Sequence, residues 1–167
     1  MAARIYLRRP QAGDQREFLA AVRRSAALHA RWVEPPVTAA QFRAYLVRME
    51  DPAVCGFFVF RRGTDAMVGV INLSNIVMGR WRSANVGYYA FAGFERQGLM
   101  REALKAVIRH AFGTLKLHRL EAGVQPGNAG SIALIRSCGF SKEGYSARFL
   151  KIYGRWRDHE RWAIVAP

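Results

Sequence analysis

Acidic residues are scarce in this chain. Asp and Glu number 12 against 26 Lys and Arg, which leaves a formal net charge of +14. A field of that sign favours anionic partners: nucleic acid, an acidic protein, an anionic membrane face or a phosphorylated cofactor. The basic residues are spread along the chain and form no block, which argues against a nucleic-acid-binding arm. A GC-rich genome would produce the same excess of arginine, so charge alone selects no partner. Cysteine is nearly missing. Cys55 and Cys138 are the only two, too few for a disulfide framework and not in a metal-ligand spacing. No apolar run approaches about 18 residues, so no membrane span is expected. The first residues, MAARIYLRRPQAGD, turn polar too early for a signal peptide. A reducing, cytoplasmic address follows as the expectation. Linkers, repeats and low-complexity stretches are also lacking. The 167 residues, 51% of them hydrophobic, suit one domain over 1–167 with a sizeable core.

The pattern changes period along the chain. Residues 4–9 read as an edge strand ended by Pro10. Residues 14–31 read as one helix, with Asp14 as N-cap, Glu17 at the capping-box position and Phe18, Leu19, Val22 and Ala26 on its apolar face. Thr38 starts a second helix, with Gln41 at the capping-box position, and Asp51-Pro52 ends it. Strands follow at 55–62, 66–79 and 85–91 with short turns between them, an antiparallel meander. Gly69 suggests a bulge or close packing. A glycine turn at 94–100 leads into a helix to about 114. A strand at 118–124, a short helix at 129–137 and strands at 145–153 and 156–165 complete the chain. The order β-α-α-β-β-β-α-β-α-β-β predicts an α+β domain. Its single mixed, mostly antiparallel sheet has about seven strands, flanked by about four helices.

Two local features carry chemistry. A strand, a glycine turn and a helix succeed one another over 85–114. A turn that runs into a helix N-terminus points free backbone N–H groups at the positive end of the helix dipole, a place suited to a phosphate. The second feature is NAGSIALIRSCGF over 128–140, in which Asn128 and Ser131 stand near a helix start. Each has a bland reading, as an ordinary turn and as an N-cap followed by a first-turn serine.

In this order and spacing the two features resemble the GNAT superfamily of acetyl-coenzyme A-dependent N-acetyltransferases. The family motif Q/R-x-x-G-x-G/A is read here as ERQGLM over 95–100. A second motif, N-x-x-[A/S]-x-x-L-x-x-x-x-G-F, matches at Asn128, Ser131, Leu134, Gly139 and Phe140. The segments MVGVINLSNIV (67–77), QGLMREAL (97–104) and GRWRDH (154–159) resemble the RimJ/RimL branch, the ribosomal-protein alanine N-acetyltransferases. The resemblance covers roughly 56–160, with weaker support from Trp32 to Pro35. Glu95 and Met100 depart from the first motif. Ile135 stands where many members carry a tyrosine used as general acid, and Ser131 is the position this branch uses instead.

The resemblance implies direct acetyl transfer from acetyl-coenzyme A to a primary amine in a ternary complex, with no metal. It implies that coenzyme A occupies a gap between the strands at 85–91 and 118–125. The pyrophosphate would rest on Arg96, Gln97, Gly98, Leu99, Met100 and Arg101, and the rest on Val86, Tyr88, Asn128 and Ser131. Ser131 is the expected proton donor and Glu121 the candidate base; an ion pair with an arginine is the plainer role for Glu121. Trp32, Asn72, Ser74 and Tyr145 are the residues expected near the acceptor. His159 can serve as a base by its ordinary pKa, and a structural role is the plainer one. The expected acceptor is a protein or peptide N-terminus, with ribosome association as a corollary. A small amine or an antibiotic is the alternative acceptor, and a non-enzymatic ribosome- or RNA-binding factor is the third class. The oligomeric state, monomer or homodimer, is left open.

Overall fold

The computed structural model describes residues 3–167. A seven-stranded sheet runs in the order β1-β2-β3-β4-β5-β7-β6. The strands are β1 (Ile5–Arg8), β2 (Cys55–Arg61), β3 (Met67–Val77), β4 (Ser83–Ala90), β5 (Arg119–Val124), β6 (Ser141–Ile152) and β7 (Arg155–Val165). Every neighbouring pair is antiparallel except β4 and β5, which are parallel. The helices are α1 (Gln15–Arg24), α2 (Ala26–His29), α3 (Ala39–Arg48), α4 (Leu99–Gly113) and α5 (Ala129–Ser137). None is long and apolar enough to cross a membrane.

One face of the sheet packs against α4 and α5, through Leu104, Val107 and Ile135, with Phe140 just after α5, over Ile71, Leu73, Val86 and Leu120. The other face carries an aromatic cluster in which Phe18 and Phe42, from α1 and α3, meet Phe58 and Phe91. Each of these phenylalanines is almost fully buried, and burial of such a ring is worth about 1.5–3 kcal/mol. Gly69 in β3 allows Met100 to enter the core: a Cβ there would lie 2.7 Å from the Met100 sulfur and 2.5 Å from the Tyr89 carbonyl oxygen. This accounts for the large residue at the last position of the ERQGLM motif. The β2–β3 register shifts at the same place.

Three local expectations change. The helix expected over 14–31 is divided at Ser25. The Ser25 hydroxyl donates to the Ala21 carbonyl at 2.7 Å and accepts from the Ala92 amide at 2.9 Å, side-chain bonding that competes with continuation of the helix. This division gives five helices where four were expected. Asp14 precedes α1 but its side chain does not cap that helix; it accepts from the Gln11 amide and pairs with Arg8. Glu17 likewise leaves the helix end and accepts from the Met67 amide at 3.1 Å. At Thr38 the expected capping box forms in full. The strand expected from 145 begins at Ser141, because β7 supplies partners from Ala163 onward.

Candidate functional site

The parallel pair β4–β5 holds together for only three residue pairs, Ser83 with Arg119, Ala84 with Leu120 and Asn85 with Glu121. Beyond these the strands diverge, although β4 continues to Ala90 and β5 to Val124. The divergence leaves β4 with an unpaired edge on that side, a row of N–H and C=O groups without strand partners. A cavity of about 330 Å³ fills the gap. Val86 to Tyr89 form one wall and Gly123 to Gln125 the other. Asn128 and Ser131 close it from α5, Trp32 to Glu34 from the loop after α2, and Leu150, Ile152 and His159 from the β6–β7 hairpin.

Two hydroxyls meet inside. The Tyr88 phenol lies 2.8 Å from Ser131 Oγ, and either can donate. The phenol also lies 3.3 Å from the Ser131 carbonyl oxygen. Burial pushes the Tyr88 pKa up to about 12, against a smaller opposing effect of the bond to Ser131. Tyr88 is therefore a neutral hydroxyl throughout the physiological range. Asn128 starts α5 and accepts the Ser131 amide through Oδ1 at 3.2 Å, which holds Ser131 in the first turn. Ile135 is fully buried and supplies no proton donor.

The turn after β4 is stitched by its own side chains. Glu95 accepts from the Gly93 amide at 2.7 Å, and Gln97 donates to the Gly93 carbonyl at 2.7 Å. The carboxylate that departs from the motif is thereby engaged within its own turn. Arg4 fastens the turn to the sheet, donating to the Gln97 carbonyl at 3.0 Å and to Glu102 at 3.1 Å. Gly98 starts α4 with φ of +76°, a conformation open to glycine and costly for a β-branched residue. The amides of the first turn, Leu99 to Arg101, lie where an α-helix leaves its N–H groups without partners. Residues 96–101 do not line the gap; they follow β4 at its end.

Of the residues expected near the acceptor, Trp32 and Asn72 line the gap. Asn72 accepts from the Tyr45 hydroxyl at 2.8 Å. Ser74, on the same face of β3, faces Asn85 in the still-paired region and lines neither that cavity nor its neighbour. Tyr145 is exposed and donates to Asp158. Glu121 stands at the last β4–β5 pair, before the strands part, and its carboxylate pairs with Arg119 at 2.6 Å. The gap does not receive it, and the ion pair is its place in the structure. Cys138 is buried beneath α5, and burial raises its thiol pKa.

Of the other lining residues, Gln125 carries no sequence motif and His159 ends the GRWRDH segment. Gln125 is buried just past β5 and donates to the carbonyls of Arg31 at 2.9 Å and Trp32 at 3.3 Å. It ties the loop after α2 to the wall of the gap. His159 Nδ1 lies 2.9 Å from the Arg157 carbonyl. A carbonyl only accepts, so Nδ1 carries the proton in this bond. Among the described residues no group of His, Cys, Asp and Glu is arranged to hold a metal ion.

A parallel strand pair that splays, with a helix N-terminus after one strand and a polar helix start after the other, defines the acyl-transferase architecture anticipated above. The chain belongs to the acetyltransferase (GNAT) domain family, whose pattern it matches over residues 4–141. It is 39% identical over 111 residues to the ribosomal protein uS5-alanine N-acetyltransferase of Escherichia coli, covering 66% of this chain and 57% of that protein. The fold is similar to Mycobacterium smegmatis RimJ in complex with a coenzyme A disulfide, with 26% identity, a TM-score of 0.89 and coverage of 97% of this chain and 82% of that one. It also matches spermidine N-acetyltransferase of Vibrio cholerae, in complex with coenzyme A and spermine, with 23% identity, a TM-score of 0.83 and coverage of 98% and 96%. At that identity the last match speaks for the fold alone.

Proposed function

We propose that this chain transfers the acetyl group of acetyl-coenzyme A to a primary amine, and that the acceptor is a protein or peptide N-terminus. The observation that carries the reading is the opening of β4 from β5 after Asn85 and Glu121, with the Tyr88–Ser131 hydroxyl pair inside it. The residues present suit the cofactor. Free amides at the start of α4, led by Gly98 in a left-handed conformation, favour a pyrophosphate. The unpaired edge of β4 offers its backbone to a pantetheine as it would to an added strand.

Bound acetyl-coenzyme A supplies the activated thioester. Arg96 to Arg101 would hold its anionic part. Val86 and Tyr88 would orient the remainder through the backbone, where an N–H directed at a carbonyl oxygen stabilises developing charge. Ser131 Oγ would pass a proton to the leaving sulfur and regain, through solvent, the one that the attacking nitrogen sheds, while the neutral Tyr88 hydroxyl keeps Oγ oriented by the bond between them. An N-terminal amine, with a reference pKa near 8 against about 10.4 for lysine, is partly neutral near pH 7. It asks little of a base, which suits a gap that Glu121 does not enter. The similarity to the uS5-alanine enzyme supports an N-terminal acceptor, and a ribosomal protein in the cytoplasm is the acceptor this reading favours.

Calorimetry with coenzyme A tests the cofactor half. Micromolar to sub-millimolar binding is expected, with weaker binding in a folded Gly98→Val variant. Absence of binding at millimolar coenzyme A would refute the reading. Turnover of peptides with free and blocked N-termini, followed by mass spectrometry of the modified atom, tests the acceptor half. Acetylation confined to lysine side chains, or faster turnover of a polyamine or aminoglycoside than of any peptide, would overturn it.

A further inference from the structure

We propose that Glu34 is the carboxylate that receives the acceptor's ammonium group, at the junction where the gap meets a second cavity; this rests on the reading of the gap as the transfer site. The second cavity, of about 560 Å³, lies along α3 and includes Pro36, Gln41, Tyr45 and Arg48 in its lining. Glu34 is the one residue that lines both cavities. The Tyr45–Asn72 hydrogen bond also spans the two linings, since Asn72 faces the gap and Tyr45 the second cavity.

Carboxylates are a scarce resource in a chain with 12 acidic and 26 basic residues. Among the described residues, ten of those twelve carboxylates accept a hydrogen bond, most from an arginine, a lysine or a backbone amide. Glu34 and Glu50 are the two that accept none. Glu50 lies at the exposed end of α3 and lines neither cavity. Glu34 is therefore the only carboxylate lining either cavity, and its charge is not neutralised by an ion pair.

Arg48 shares the second cavity with Glu34, but neither it nor Arg31 forms an ion pair with that carboxylate. The Arg31 guanidinium lies over the Trp32 ring at 4.8 Å, and that of Arg48 over Tyr45 at 5.8 Å. Within a strongly positive molecule, an unpaired carboxylate between two cavities is a local site of opposite sign, suited to a cation that enters from solvent. Its backbone is held ready. Gln125 grips the carbonyls of Arg31 and Trp32 just before it. Pro35 restricts Glu34 to extended conformations, and the Gln41 side chain accepts from the Val37 amide at 2.8 Å just after it. With the backbone so held, pairing costs ordering of the Glu34 side chain alone.

The role is recognition of the charged acceptor. The ion pair draws in the ammonium form, which releases a proton to solvent before the neutral amine attacks, so removal of the carboxylate weakens acceptor binding without slowing that attack. Glu34→Gln should raise the acceptor KM and leave kcat near the wild-type value, whereas loss of a base would lower kcat. A charge-assisted contact at a partly exposed site corresponds to about tenfold in affinity.

The test uses the full chain loaded with coenzyme A and two probes, a six-residue peptide with a free N-terminus and the same peptide N-acetylated. Calorimetry should show that wild type and Glu50→Gln prefer the free amine by about tenfold, and that Glu34→Gln binds both forms alike with an unchanged melting temperature. Retention of the preference in Glu34→Gln, absence of the preference in wild type, or a loss of kcat with KM unchanged would each overturn the proposal. Coenzyme A affinity measured in the same samples separates the two readings. If coenzyme A binds and only the preference is missing, the role of Glu34 falls alone; if coenzyme A does not bind, the transfer site falls with it.

Discussion

Ser131 and Tyr88 come from elements far apart in the chain and meet at 2.8 Å. Both residues are expected at the gap from the resemblance; their pairing was not legible, because the contact requires β4 and α5 to face one another across the gap. If the pair hands a proton to the leaving sulfur, its loss must affect the reaction more than the binding. Ser131→Ala is expected to lower kcat by about 10²–10⁴-fold with coenzyme A affinity within a few-fold of wild type. Tyr88→Phe should give a smaller loss, since Oγ remains but is less well held. Steady-state kinetics with calorimetry on the same preparations checks both; wild-type kcat in Ser131→Ala would reduce the serine to a helix-start residue. Glu121 teaches the converse. Its position on a gap-forming strand suggested a base, but the gap begins only after it, and Arg119 takes its charge.

At the scale of elements, the loop after α2 depends on how α2 ends. His29 is buried, and its Nε2 lies 2.8 Å from the Ala90 carbonyl at the end of β4. That carbonyl accepts, so Nε2 carries the proton, while Nδ1 is buried without a partner. Desolvation lowers the His29 pKa below its ordinary 6.5, against a smaller opposing effect of the bond to Ala90. Above about pH 6.5 the ring is neutral in both folded and unfolded chains, and no stability depends on it. As the pH falls below that value the unfolded chain gains a proton that the native state resists, so stability declines. The Glu102 carboxyl is desolvated, yet its bonds from Arg4 hold it below the usual 4.5, as Lys142 does for Glu160; both contribute fully above about pH 4.5 and lose that contribution only below it. Denaturant midpoints should therefore fall as the pH drops below about 6.5, and His29→Gln should flatten that slope. An equal slope in the variant would assign the decline to other groups. The apolar spacing predicts a single helix over 14–31, yet Ser25 turns its hydroxyl to Ala21 and Ala92 and divides it. Only the tertiary neighbour Ala92 makes that choice visible.

For the whole molecule, the net charge of +14 sets how acceptors arrive. Long-range attraction favours an acidic peptide and opposes a polycation, and both effects fade when the Debye length shrinks from about 30 Å at 0.01 M salt to about 8 Å at 0.15 M. An acidic peptide acceptor should therefore show kcat/KM that falls with added salt, and a basic peptide one that rises, while short-range capture by Glu34 is less affected. Initial rates across that salt range with two peptides differing only beyond their first residues provide the measurement. Identical salt dependence for the two would mean that the field does not steer acceptors.

The α+β order, the capping box at Thr38, the glycine turn before α4 and the Asn128–Ser131 start of α5 were readable from the sequence. Each depends on residues a few positions apart, where backbone preference and side-chain hydrogen bonds act locally. Tertiary structure alone decided how far β4 and β5 stay paired, and therefore that Glu121 remains outside the gap while Asn72, Gln125 and His159 line it. It also decided that Glu34 keeps a free carboxylate between two cavities. Those outcomes turn on which distant groups compete for each charge and each strand edge, and that competition is resolved only when the sheet, both helical layers and the β6–β7 hairpin are assembled.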